Sequence, residues 1–365
     1  MKVLNIFLAL LISLSTIFTP KTEAKENTDI NKFTNSINWQ AQADEKIKVG
    51  DVVRVFGDAL GEGQRQQVAD IFNKNIMSDV KLEDKDITTT KMSSSELEHY
   101  LGYEEGTSAG YNMISCVQIE KLELGSGTYV EIATPKNITQ ITHHEYTNAS
   151  ITAGLDDVYI QVAALTPATG EAALAGIYKA AETLGFDLNE EQLAVGNEEM
   201  EVVNEISQEN KDNPEFNIEN FNAAVNNIKQ EITIKVEDNS VQNVSRDEIN
   251  VIVNNNLEQY NINLTDEQIA KLSEYMQKFK DSLANIDEAD LEKLKQQLSQ
   301  FGSWLSSNAD NVKEYLKSDE FKQGLNQFKE EAGNIYENAK ESGLFDKIAD
   351  FFSRLWDALV RAFSK

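Results

Sequence analysis

The chain contains few of the residues that are typical of a disulfide-stabilised fold or a metal centre. Its 365 residues include one cysteine, four prolines and three histidines. The single cysteine, Cys116, excludes an intramolecular disulfide, so we expect an ordinary packed core and not a small disulfide-bonded one. Three histidines leave little room for a metal or acid-base site. No proline follows Pro214, which favours long helices in the remainder of the chain.

Positive charge is also scarce, since 33 Lys and Arg stand against 61 Asp and Glu, a net charge of −28. Such a charge repels phosphate backbones and does not favour adsorption to anionic lipid, so we predict no nucleic-acid partner. It suits solubility or cationic partners. The acidic stretch from Asp187 to Glu219, with Lys211 as its single lysine, is either a solvated connector or exposed helical face, or a cation-binding surface.

The N-terminus has the features of an export signal. Lys2 precedes an apolar stretch from Val3 to Phe18, which is shorter than the roughly 20 residues that cross a bilayer. Thr22 and Ala24 supply the small residues of a signal-peptidase site. We predict a signal peptide over residues 1–24 and a protein that is secreted or peripherally associated with the cell envelope. An uncleaved N-terminal anchor is the alternative.

Hydrophobic periodicity divides the rest of the chain into regions of different character. Residues 25–45 are polar and without a steady period, which predicts a disordered mature N-terminus. Residues 46–185 alternate strands and helices, as α/β and α+β layer folds do. Residues 186–284 are predicted to form an acidic connector and helices, and residues 285–365 a helical extension. The predicted fold is therefore an α+β or α/β N-terminal domain followed by an all-α helical hairpin or bundle.

Local signals mark several element ends. Ser93–Glu96 and Thr142–Glu145 are capping-box patterns, so a helix should begin after Ser93 and another after Thr142. Thr169 is predicted to cap a further helix that ends at Leu184. Gly125–Gly127 separates two strand-like runs, which predicts a β-hairpin.

The stretch from about residue 52 to residue 277 contains motifs that together resemble a known family. They are Gly57-Asp-Ala-Leu60, Gln64-Arg65, Tyr100-Leu-Gly102, Gly125-Ser-Gly127, Asn137-Ile-Thr139, Tyr146-Thr-Asn-Ala-Ser-Ile-Thr-Ala-Gly154, Val162-Ala-Ala164 and Gly170-Glu-Ala-Ala-Leu-Ala-Gly-Ile-Tyr-Lys-Ala180. The stretch resembles the YpuA-like exported proteins of Gram-positive bacteria, domain-of-unknown-function family 1002. The resemblance implies export and a bacterial envelope setting. It brings no activity, cofactor or catalytic residue, and the helices after about Asn285 lie outside it.

No motif for catalysis or cofactor binding stands out. His143-His144-Glu145 lacks the HExxH spacing that places two imidazoles on one helix face. Cys116 lies in an apolar strand with nothing nearby to activate a thiol. Asp84 and Asp86 begin like a calcium loop, but Thr89 stands where such a loop requires glycine. We predict no catalytic residue, no metal site and no cofactor.

The C-terminus carries the sharpest site hypothesis. Residues 344–363, LFDKIADFFSRLWDALVRAF, form an amphipathic pattern with a wide apolar face. That face consists of Phe345, Ile348, Phe352, Leu355, Trp356, Leu359 and Phe363. Either this helix packs into the preceding bundle, or it docks onto a membrane surface or an envelope protein. Its polar face is nearly neutral, so burial of apolar surface would drive the docking.

Two classes of function are consistent with these patterns. The first is a non-enzymatic envelope or extracellular interaction protein. The second is a secreted hydrolase that acts on a cell-wall or glycan substrate through a pair of carboxylates. With 61 acidic side chains the sequence alone cannot identify such a pair.

Overall fold

The computed structural model describes residues 47–74, 76–77 and 87–306, with 315–316, 318, 321–322 and 325–326. The predicted signal peptide (1–24), the polar segment 25–45 and the amphipathic helix 344–363 lie outside these residues. The described chain is α+β, with five strands and nine α-helices. The strands are β1 (Val52–Gly57), β2 (Ile87–Met92), β3 (Cys116–Lys121), β4 (Tyr129–Ile132) and β5 (Val158–Ala163). The helices are α1 (Glu62–Asn73), α2 (Ser94–Leu101), α3 (His143–Thr152), α4 (Glu171–Leu184), α5 (Glu190–Glu209), α6 (Ile218–Asn239), α7 (Arg246–Gln259), α8 (Asp266–Ser282) and α9 (Glu288–Ser306).

The five strands form one mixed sheet in the order β2-β1-β3-β5-β4. β1 and β2 are parallel, as are β4 and β5, and β3 runs antiparallel to both of its neighbours. Helix α1 connects β1 to β2, and α3 connects β4 to β5. The carboxyl ends of four strands therefore meet at one edge of the sheet, where α1, α2, α3 and α4 begin.

The predicted hairpin around Gly125–Gly127 is wrong, because β5 lies between β3 and β4. The loop is instead held by the buried carboxylate of Asp157. The backbone N–H groups of Gly125 and Gly127 donate to it at 2.9 and 2.7 Å. The glycines predicted the turn correctly. The strand that pairs with β4 comes later in the chain, so the local sequence does not indicate this pairing.

Helix caps were predicted well where the signal was a side chain. The capping boxes Ser93–Glu96 and Thr142–Glu145 are both confirmed. The prediction for Thr169 is wrong, because Gly170 is the N-cap of α4 and has no side-chain capping bond. Gly170 has a φ of 110°, and a Cβ there would lie 2.5 Å from the Tyr146 hydroxyl. The position thus requires glycine for both its conformation and its close packing.

One hydrophobic core lies between a face of the sheet and α2, α3 and α4. Val117 and Ile160 of the sheet and Ile177 of α4 are fully buried there. The apolar residues of β1, β3 and β5 alternate, so this core takes Val53 and Val55 while the intervening residues face the opposite side.

A second core is formed by α5 to α9 and reaches into the sheet. Tyr129 and Tyr159, from the opposite face of the sheet, are buried in it. Phe301 and Trp304 of α9 belong to the same core, and the Trp304 ring meets the Tyr129 ring edge-on at 5.9 Å. The predicted arrangement of an N-terminal domain and a separate helical extension is therefore not confirmed, since residues before and after 285 share one core.

The acidic stretch from Asp187 to Glu219 mainly forms α5 and the first turn of α6. Leu193, Val203 and Ile206 are buried against the neighbouring helices, whereas most of the carboxylates point outward. Among the helices of the described residues, none combines the length and apolarity needed to cross a membrane.

Candidate functional site

A cavity of about 310 Å³ opens at the carboxyl edge of the sheet. It is bounded by α2, by the segment that precedes β3 and by the first turn of α4. Its lining includes Leu97, Leu101, Tyr103, Tyr111, Met113 and Glu171. The carbonyl of Met113 accepts a bond from the N–H of Ala59, just after β1, at 3.3 Å. The carboxyl edge is where open α/β sheets bind ligands, so this cavity is the candidate site.

Two tyrosines reach the cavity from one loop, residues 102–111, which we name the tyrosine loop. Tyr103 is 41% exposed and Tyr111 is 54% exposed, unusually high for aromatic side chains. Gly102, with a φ of 66°, ends α2 and starts the loop. Exposed aromatic rings at a cavity mouth are typical of a recognition surface.

The carboxylate of Glu98 holds the tyrosine loop in shape. It accepts the N–H of Gly106 at 3.0 Å, and the N–H and hydroxyl of Ser108 at 2.7 Å each. These bonds, the Ser108 hydroxyl first, lower the pKa of Glu98, so it is ionised at neutral pH. The loop is therefore ordered before any ligand arrives.

The cavity has a negative electrostatic character. Burial raises the pKa of the Tyr103 phenol, and the carboxylates of Glu171 and Glu201 raise it further. Glu171 lines the cavity, whereas Glu201 belongs to α5 and does not. No lysine, arginine or histidine is among the described residues that line the cavity.

A second cavity, of about 270 Å³, lies beside the start of α3 and is lined by His143, His144 and Glu219. Burial lowers the pKa of His143 to about 4, and burial together with His143 lowers that of His144 to about 3. Both imidazoles are therefore neutral at pH 7. They pack on α9, where the ring centroids of His144 and Trp304 are 4.9 Å apart.

A buried charged pair lies where α3, α5, α6 and α8 meet. The Lys229 ammonium is 2.6 Å from the Glu199 carboxylate, and neither side chain is more than 1% exposed. Lys229 also donates to the Thr152 hydroxyl at 3.0 Å and to the Asn148 carbonyl at 3.2 Å. The Tyr275 hydroxyl donates to Glu199 at 2.9 Å. This network is closed to solvent and acts as a polar bridge between helices.

The motif Tyr146–Gly154, which contributed most to the family resemblance, forms α3 and the residues after it. Residues 144–152 are all buried, although most of them are polar. Tyr146 donates to the Gly170 carbonyl at 2.6 Å, and Thr147 accepts the N–H of Val130 at 3.1 Å. Polar side chains here serve packing and hydrogen bonding between elements.

The other residues considered from the sequence take structural roles or lie elsewhere. Cys116 is fully buried, and burial raises its pKa to about 12, so it is a thiol and not a nucleophile at neutral pH. In the described part of the chain, no three His, Cys, Asp or Glu side chains are grouped to hold a metal ion. Asp84 and Asp86 lie outside the described residues. So do the seven apolar residues Phe345, Ile348, Phe352, Leu355, Trp356, Leu359 and Phe363.

Carboxylate pairs occur away from the two cavities. Glu171 is the one carboxylate among the described residues that line the first cavity, and Glu219 is its counterpart in the second. Glu237 and Glu292 lie close together, but Lys295 bridges them at 2.9 and 2.5 Å. The bridge engages both carboxylates and joins α6 to α9.

Sequence reasoning did not identify the residues of the cavity or of the buried pair. The spacing of Tyr103 and Tyr111 in the glycine-rich run GYEEGTSAGY is a signal that could have been noticed. Glu199 and Lys229 belong to different helices, and nothing in their local sequence distinguishes them from surface charges.

The chain resembles proteins of unknown function. A family model described as "Protein of unknown function (DUF1002)" matches residues 56–301, a stretch that includes most of α9. The chain is 28% identical over 318 residues to "Uncharacterized protein YpuA" of Bacillus subtilis (strain 168), a match that covers 86% of this chain and 90% of that protein. No solved structure matches. Because the family model covers well over half of the sequence, the chain belongs to the DUF1002 family.

Proposed function

We propose that this protein is exported and acts as a non-enzymatic interaction protein, either free outside the cell or peripherally associated with the envelope. The observation that carries the proposal is the cavity at the carboxyl edge of the sheet. It offers two exposed tyrosines on an ordered loop and, among the described residues, a single lining carboxylate, Glu171. The described residues of this lining contain no pair of carboxylates, which favours recognition over acid-base chemistry.

The contacts of five other ionisable side chains also support a non-enzymatic function. Glu98 orders the tyrosine loop, Lys229 and Glu199 join helices, and the two neutral imidazoles pack on α9. General acid-base catalysis needs a group whose pKa lies near the working pH and which can reach a substrate. These groups are instead engaged with other parts of the protein.

The alternative function, a secreted hydrolase of cell-wall or glycan substrates, requires a specific geometry. Two carboxyl groups would have to flank the bond at about 5–5.5 Å for a retaining enzyme, or at about 6.5–9.5 Å for an inverting one. Glu171 lacks such a partner among the described residues of the cavity lining. Release of soluble sugar from cell-wall material by the purified protein would favour this alternative.

Export is proposed from the N-terminal sequence. Lys2, the apolar stretch that follows and the small residues Thr22 and Ala24 form the expected signal peptide. The protein released by a producing Gram-positive cell should begin at Lys25. Retention of Met1 in the membrane fraction would instead indicate an uncleaved anchor.

Envelope association is proposed through the helical region that follows the sheet, and in particular through residues 344–363. Its seven-residue apolar face would drive attachment by burial, because the net charge of −28 opposes adsorption to anionic surfaces. The test is cosedimentation of the mature protein with vesicles and with isolated envelopes, as the full chain and truncated after Ser342. Loss of pelleting on truncation supports a tether. Equal, low pelleting by both chains would contradict the tether and indicate a freely secreted protein.

A further inference from the structure

We propose that the cavity beside the tyrosine loop binds the ammonium group of an alkylammonium ligand. This inference rests on the proposed function and names the chemistry that the site would recognise. The loop places Tyr103 and Tyr111 at the cavity, and Glu171, the first residue of α4, lines the same cavity. Aromatic faces and a carboxylate around one small cavity are the groups that recognise an organic cation.

The aromatic rings provide the first part of the recognition. A ring face carries negative charge density, so a cation within about 6 Å of the ring centroid is attracted to it. Tyr103 and Tyr111 are both partly exposed, at 41% and 54%, and both line the cavity, so a ligand in the cavity can contact them. Leu97, Leu101 and Met113 add apolar surface that suits the methyl or methylene groups of an alkylammonium.

The charges around the cavity favour a cation over an anion. Glu171 lines the cavity, Glu201 is close enough to act on Tyr103, and no basic side chain is among the described lining residues. The N-terminus of α4 alone would favour an anion, but Glu171 in its first turn already supplies the negative charge. The net charge of −28 also attracts cations from solution.

The size and order of the site fit a small ligand. The cavity of about 310 Å³ is near the lower limit for small-molecule sites, which suits a compact head group. The bonds from Gly106 and Ser108 to Glu98 fix the loop in advance. Little ordering entropy is then lost when the ligand binds.

The test compares choline with 3,3-dimethyl-1-butanol, which has the same shape but carries no charge. Each is titrated into the full mature chain, and the amide shifts of the tyrosine loop are followed in ¹H–¹⁵N spectra. Choline should bind about 3- to 30-fold more tightly than the neutral compound, the range expected for a cation–π contact. Nα-acetyl-lysine amide is titrated in parallel, and whichever ammonium binds more tightly identifies the source as a small cation or a peptide.

Variants separate the aromatic ring from the charge. Tyr103→Leu should weaken choline binding within the same 3- to 30-fold range, whereas Tyr103→Phe keeps the ring and should change it less than about twofold. Glu171→Gln should weaken binding and reduce its salt dependence. Glu267→Gln, an exposed carboxylate of α8 outside the cavity lining, is the matched control and should have no effect.

Two results would overturn the inference. One is equal or tighter binding of 3,3-dimethyl-1-butanol, which would make the cavity simply apolar. The other is the absence of choline-induced shifts in the tyrosine loop of a folded chain, verified by its thermal unfolding. Neither result bears on export or on the lack of hydrolysis, so failure here is distinguishable from failure of the proposed function.

Discussion

At the scale of single residues, the buried pair Lys229–Glu199 is held by more than its mutual attraction. Desolvation lowers the pKa of Lys229, and Glu199 opposes that shift. Thr152 donates to Glu199 at 2.5 Å and accepts from Lys229, so each charge has several partners. A buried pair of this kind adds little net stability, but breaking it by removing one partner is costly.

Replacement of Lys229 by Met should therefore destabilise the protein strongly. It leaves the Glu199 carboxylate buried without a cation, at an expected cost of about 3–5 kcal/mol in the free energy of unfolding, measured with urea. The double variant Lys229→Met/Glu199→Gln should recover a large part of this loss. Lys271→Met, which breaks the exposed pair with Glu205, should cost less than about 1 kcal/mol. A similar cost for both lysines would show that Lys229 is not desolvated.

A polar row crosses the middle of the sheet on the face opposite the first core. Arg54, Gln118, Gln161 and Glu131 are opposite one another on β1, β3, β5 and β4. Arg54 donates to Gln118 at 2.6 Å. Gln161 is fully buried, and neither atom of its side-chain amide has a hydrogen-bond partner among the described residues.

Replacement of Gln161 by Met should raise the free energy of unfolding by about 1–2 kcal/mol, because it removes unpaired buried polar atoms at similar volume. Gln297→Met is the matched control. That amide bonds Asp157 at 3.2 Å and Thr128 at 3.0 Å, so its loss should cost about 1–3 kcal/mol. Equal destabilisation by the two substitutions would indicate that bound water satisfies Gln161.

At the scale of elements, α3 is a helix that contacts both the sheet and the helical core. It packs against β4, α5, α6 and α9, and its two histidines meet the aromatic residues of α9. This contact couples the helical core to pH. The folded pKa of His144 is about 3, whereas the unfolded value is near 6.5.

Protonation of His144 should lower the stability of the folded protein. Between about pH 6.5 and the folded pKa, the unfolded chain binds a proton that the folded chain does not, so acid destabilises the fold. His144→Phe should reduce the loss of unfolding free energy between pH 7 and pH 4.5 by about 2 kcal/mol, measured against the wild type with urea. An unchanged pH dependence in the variant would show that His144 is protonated in the folded protein.

Local sequence signals were enough to predict where some of the helices begin. The capping boxes predicted at Ser93 and Thr142 both begin helices, because both partners of each bond lie within one turn. The pairing of β4 was not predictable, since its neighbour β5 follows a helix. The burial of helix α3 was also not predictable from apolar periodicity, because its buried residues are largely polar and small.

At the scale of the whole molecule, α9 joins the helical core to the sheet. Gln297 of α9 bonds Thr128 and Asp157, which flank β4 and β5, and Gln300 bonds the Gly125 carbonyl. Phe301 and Trp304 fill the core around Tyr129. Sequence periodicity predicted this helix correctly, but it gave no indication that the helix packs on the sheet.

A chain that ends at Asn285 should therefore lose cooperative unfolding or aggregate, because Tyr129 and the rest of the second core would be exposed. A chain that ends at Ser342 retains α9, and we expect it to unfold cooperatively with the same midpoint as the full chain. Circular dichroism melts and size-exclusion elution of the two chains provide the comparison. A cooperative melt at the full-length midpoint for the shorter chain would make α9 an independent extension.

The candidate site could likewise be predicted from the sequence only in part. The sequence predicted helices at the positions of α2 and α4, and both helices contribute to the cavity walls. It did not predict that Tyr103, Tyr111 and Glu171 converge, because the loop and α4 are brought together only by the strand order of the sheet. The function proposed from the sequence, binding without catalysis, is one that this convergence supports.

The central claim is that the protein binds outside the cell and does not cleave what it binds. The most direct measurement incubates the full mature chain with isolated cell envelopes and quantifies, in the same samples, pelleted protein and soluble sugar released. The account predicts saturable pelleting with no release of sugar above the protein-free control. Time-dependent sugar release that increases with protein concentration, and that also occurs with the chain truncated after Ser342, would contradict it and favour the hydrolase.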